Sequence, residues 1–71
     1  MRVKLLAKDA DSGGQGGQSG YLADNGMCVL QGPEIDDLTY ANLANVLPGE
    51  KGVMLKSQVI LDLADQLRDL G

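Results

Sequence analysis

Few residues in this 71-residue chain are able to do chemistry, and their spacing assembles no catalytic set. There is one thiol, Cys28, and no histidine. A cysteine nucleophile needs a base, a nearby cation or a helix N-terminus to hold its thiolate. Cys28 instead stands between Met27 and Val29 in an apolar run, which predicts a small buried or half-buried hydrophobe. A single cysteine forms no intrachain disulfide. A lone thiol in a small chain suits a reducing compartment, here the cytoplasm. The missing histidine removes the usual zinc sites and His-based proton transfer.

Two acidic groups could attract a cation: Asp9 with Asp11, and Glu34 with Asp36 and Asp37. The calcium-loop order of alternating acids, glycine and a distal glutamate is absent. Turn formation accounts for the first group and helix capping for the second, so no metal is expected. Residues 13–20, Gly-Gly-Gln-Gly-Gly-Gln-Ser-Gly, hold five glycines and no charge. A phosphate loop needs a lysine after its glycines, and the dinucleotide pattern begun at Gly14 fails at Ser19. Such a segment buries no apolar side chain and is expensive to order, so it reads as a flexible loop. The expectation is no catalytic residue, no cofactor and no enzyme.

A fourth candidate is a helix face. Leu61, Asp65, Arg68 and Asp69 share one side of a C-terminal helix, opposite its apolar stripe. The face is either solvated surface or a docking site for a basic partner, with an apolar centre inside a charged rim. These four residues are the candidate partner-binding set. Ten acidic against six basic residues give a net charge of −4. Beyond Lys8 only Lys51, Lys56 and Arg68 are positive, so most of the chain repels phosphates and no direct nucleic-acid binding is expected. No apolar run of signal-peptide or membrane-spanning length occurs, so no membrane partner is expected.

These residues need elements to position them. Val3–Lys8 alternates as a strand, with Val3, Leu5 and Ala7 on one side and Lys4 and Lys8 on the other. Leu6 breaks the pattern on the lysine side. Asn25-Gly26 predicts a two-residue type I′ turn joining Tyr21–Ala23 to Met27–Gln31, which Gly32-Pro33 ends. Glu34–Asp37 opens a helix in which Leu38, Leu43, Val46 and Leu47 fall on one broad face, with Ile35 before them and Tyr40 at the edge. Pro48-Gly49 stops it. Val53–Leu55 reads as a fourth strand or an extended connector. Ser57 fits an N-cap, Val59, Ile60, Leu63, Leu67 and Leu70 form the inward stripe, and Gly71 fits a C-terminal cap. The predicted fold is α+β, one domain over 1–71. It has a small antiparallel sheet of three or four strands and two helices, the longer one C-terminal.

The ordered landmarks are Leu6-Ala7-Lys8-Asp9 with Ser12, a glycine-rich gap, Tyr21, Asp24-Asn25-Gly26, Val29-Leu30-Gln31-Gly32, Ile35-Asp36-Asp37 and Leu47-Pro48-Gly49-Glu50. Together they resemble small actinobacterial proteins of unknown function, often encoded beside helix-turn-helix regulators of the xenobiotic-response type. The resemblance covers residues 3–55 and stops before the helix from Gln58. It implies a small accessory protein that binds and modulates a transcription regulator, somewhat as an antitoxin does. It implies no catalytic residues.

Size points the same way. A chain this short buries roughly 60% of its unfolded surface. With neither disulfide nor metal, its core supplies only about 3–5 kcal/mol. A protein partner or a second copy is therefore expected. The expected function is non-enzymatic regulation through protein–protein contact, in a homo-oligomer. Two alternatives are a small ligand- or phosphate-binding protein using the glycine-rich loop, and a purely structural homo-oligomer.

Overall fold

The computed structural model describes residues 1–12 and 17–70. The middle of the glycine-rich loop, 13–16, and the Gly71 cap lie outside the described residues. The described residues form three strands, β1 (Val3–Lys8), β2 (Ser19–Ala23) and β3 (Cys28–Gln31), in the antiparallel order β1-β2-β3. Two α-helices follow, α1 (Asp37–Tyr40) and α2 (Ser57–Leu70). The fold is α+β with the longer helix C-terminal. Ser19 and Gly20 belong to β2 and are buried, so the glycine-rich segment contributes to the sheet at its end.

The β2–β3 turn differs from the expected type I′. Gly26 N–H donates to Ala23 O at 3.0 Å, and Ala23 N–H donates to Met27 O at 2.8 Å. Gly26 takes a φ of 87°, while Asn25 does not adopt a positive φ. The loop is thus the three residues Asp24-Asn25-Gly26, a turn closed by a glycine bulge. Asn25 acts through its side chain, its Oδ1 accepting from Met27 N–H at 3.0 Å.

A bulge also reshapes β1. Leu5 stands opposite Tyr21 and Ala7 opposite Gly20, which leaves Leu6 as the extra residue. Leu6 and Ala7 therefore both pack with Val59, Leu63 and Leu67 of α2. Val3 and Leu5, expected to share a face with Ala7, stay 48% and 49% exposed on the opposite face. Gly20 makes room for the helix: a Cβ there would stand 2.8 Å from Leu63 Cδ2.

The helix packs mainly on β1 and β2. That has two consequences. Cys28 is exposed, against the expectation of a buried or half-buried thiol. The inward stripe of α2 narrows to Val59, Leu63 and Leu67, leaving Ile60 and Leu70 exposed.

Residues 34–53 form a separate lobe. The long helix expected there is a single turn, α1, capped by Asp36 Oδ1 accepting from Thr39 N–H at 2.8 Å. Asparagines divert the chain after it. Asn42 Nδ2 donates to Leu38 O at 3.1 Å, and Asn45 takes a φ of 57°. Side-chain bonds of this kind compete with the helix ladder. Leu38, Leu43, Val46 and Leu47 consequently remain exposed rather than buried. Ile35 is buried against Gly52 and its N–H donates to Gly52 O at 3.1 Å. Tyr40 Oη donates to Glu34 Oε2 and accepts from Gly52 N–H, each at 3.0 Å. Val53 makes one bridge, to Glu34, so Val53–Leu55 is the extended connector and not a fourth strand.

Candidate interaction surface

The outward face of α2 carries the four predicted residues together. Leu61 is 57% exposed, and Asp65, Arg68 and Asp69 surround it one and two turns on. The guanidinium of Arg68 pairs with the Asp65 carboxylate. That pair neutralises itself, so Asp69 carries the net charge of the rim. Asp62 borders the face and accepts from Gln58 Nε2 at 2.8 Å.

The other chemical candidates are tied up structurally. Asp9 Oδ1 accepts from Asp11 N–H at 3.2 Å, which is turn chemistry. Lys56 Nζ then pairs with Asp9 at 3.2 Å and Asp11 at 3.1 Å. The Asp11 backbone amide, and Lys56 after it, hold the Asp9 carboxyl below its ordinary value of 3.8. The side-chain hydrogen bonds to the Asp11 and then the Asp9 carboxylates raise Lys56 above 10.5. The Lys56 backbone N–H also donates to Gln18 Oε1, so this one residue fastens the start of α2 to both ends of the glycine-rich segment. Lys56 carries no local sequence signal, because its partners Asp9 and Asp11 lie more than forty residues away in the chain. Asp36 is held below 3.8 by its hydrogen bond to Thr39. Among the described residues no three acidic or cysteine side chains converge as a metal ion requires.

A second apolar surface was missed. Leu5, Tyr21 and Val29 are cross-strand neighbours and form one row on the sheet face turned away from α2. Val3 lies beside them, paired with Ala23. Val29 is 41% exposed, and the Tyr21 hydroxyl donates to Gln31 Oε1 at 2.8 Å. Alternation along β1 marked two faces but did not say which one the helix takes. Gly20 was the available signal, since a residue without a side chain admits a close helix. Among the described residues no helix is long and apolar enough to cross a membrane.

Compared with protein-family models, curated proteins and solved structures, the chain matches none. What it does is argued from its own surface.

Proposed function

We propose that this chain is a non-enzymatic regulatory protein that works through protein–protein contact, with a transcription regulator of the helix-turn-helix class as its partner. One observation carries the reading. Among the described residues fifteen large apolar side chains are exposed, against five buried apolar residues. Exposed apolar surface marks interaction sites where it is contiguous. The acidic balance favours a partner with a basic face and disfavours direct contact with DNA. The α2 face is the docking site: Leu61 enters an apolar pocket, and Asp69 meets a cation at the rim.

Calorimetric titration of the purified chain into a helix-turn-helix regulator from the same genome, of the kind the resemblance implies, tests the reading. The wild type should bind. Leu61→Asp should lose binding by at least tenfold, about 1.4 kcal/mol, while keeping its far-UV circular dichroism. Absence of binding by the wild type would overturn the proposal.

A further inference from the structure

The sheet has two edges, and they differ. The β1 edge carries Lys4, Lys8 and the Leu6 bulge, devices that obstruct strand addition. The β3 edge carries none of these. Cys28-Val29-Leu30-Gln31 holds no charge and no proline, pairs with β2 without a bulge, and is exposed at every residue. The hairpin closes with Ala23 N–H on Met27 O, and the antiparallel ladder alternates from there. Val29 and Gln31 therefore bond to β2. The N–H and C=O groups of Cys28 and Leu30 point away from it and meet no partner among the described residues.

We propose that two copies of this chain pair antiparallel along β3, about a two-fold axis at Val29, into one six-stranded sheet. Two constraints, together with the pairing of every outward group of β3, fix the register. The outward backbone groups belong to Cys28 and Leu30, so these must face outward groups in the second copy. The pleat must keep the Leu5–Tyr21–Val29 row on one face, so facing residues differ by an even number. Cys28 opposite the second copy's Leu30, with Val29 opposite its equivalent, satisfies both. All eight outward groups then pair in four hydrogen bonds.

A second copy fits this edge for two reasons. The row Leu5–Tyr21–Val29 continues unbroken into the same row reversed. The edge itself is uncharged, so two acidic molecules meet there without opposing like charges.

Sedimentation equilibrium on the whole chain tests this. The wild type should be dimeric. Val29→Lys and Val29→Glu should each be monomeric, because like charges then face each other across the axis. An equimolar mixture of the two should recover a dimer. Leu30→Cys gives a reading that does not depend on either variant folding. Its new thiol faces the second copy's Cys28 at a Cα separation of about 5.5 Å, within disulfide range. Mild oxidation should then yield a covalent dimer. A monomeric wild type at up to about 1 mM would overturn the proposal. So would dimers that persist in folded Val29 variants, a mixture that stays monomeric, or a Leu30→Cys chain that does not cross-link. A dimeric chain that fails to bind the regulator overturns the function proposed above and leaves this inference standing.

Discussion

Lys56 joins segments that lie far apart in the chain, and its chemistry sets a pH window. The Asp9 carboxyl is held below 3.8, so its contribution is present above that value and fades as pH falls through the lowered one. Lys56 is raised above 10.5, so its contribution is present below that value and fades as pH climbs past the raised one. The ion pairs are exposed and individually weak. Wild type and Lys56→Met should therefore differ by a small, constant shift in melting temperature across neutral pH. The difference should shrink in strong acid. A gap undiminished at about pH 2 would show that the side chain acts through packing and not through charge. Gly32 is a second such point. A Cβ there would stand 2.5 Å from the Met54 carbonyl oxygen, and backbone cannot swing aside as a side chain can. Gly32→Ala should cost about 1–3 kcal/mol in urea denaturation.

Among the elements, the β2–β3 hairpin is the simplest to probe. Gly26 at φ 87° has open space around a would-be Cβ, so any penalty there is conformational and not steric crowding. Gly26→Val should destabilise by about 1–3 kcal/mol, and a loss under a few tenths would mean the turn had rearranged. The hairpin's position was legible because Asn25-Gly26 is a local signal; its loop length was not, since Asp24 fits either turn. The helix α2 was legible from its 3.6-residue period. Its burial was not, because the period cannot tell that it packs mainly on two strands. Leu6 announced the β1 bulge as a broken alternation. The lobe was least legible: Leu38, Leu43, Val46 and Leu47 keep a helical spacing that Asn42 and Asn45 override locally. The Leu61 face could be read from helix geometry alone. The Leu5–Tyr21–Val29 row could not, because it depends on which face α2 takes.

At the scale of the molecule there are two packing centres. One joins Ala7, Val59 and Leu63 between sheet and helix; the other joins Ile35 with Gly52 and Leu43 inside the lobe. Their separation gives the chain a radius of gyration of 13.2 Å, where a domain of this length averages about 11 Å. Residues 34–53 rest on a small cluster, the two hydrogen bonds of Tyr40 Oη and the Ile35–Gly52 backbone bond, so the lobe belongs to the low-stability end of the molecule. It should open on its own while sheet and α2 stay closed. Tyr40→Phe removes both bonds and leaves the ring, at a cost of about 1–2 kcal/mol. Amide hydrogen exchange should then quicken roughly tenfold at Ile35 and Leu43, whose N–H groups bond to Gly52 O and Tyr40 O. The amides of Val59 and Leu63 should keep their wild-type rates, because their protection comes from the other centre. Equal acceleration at all four sites would mean that lobe and sheet unfold as one cooperative unit.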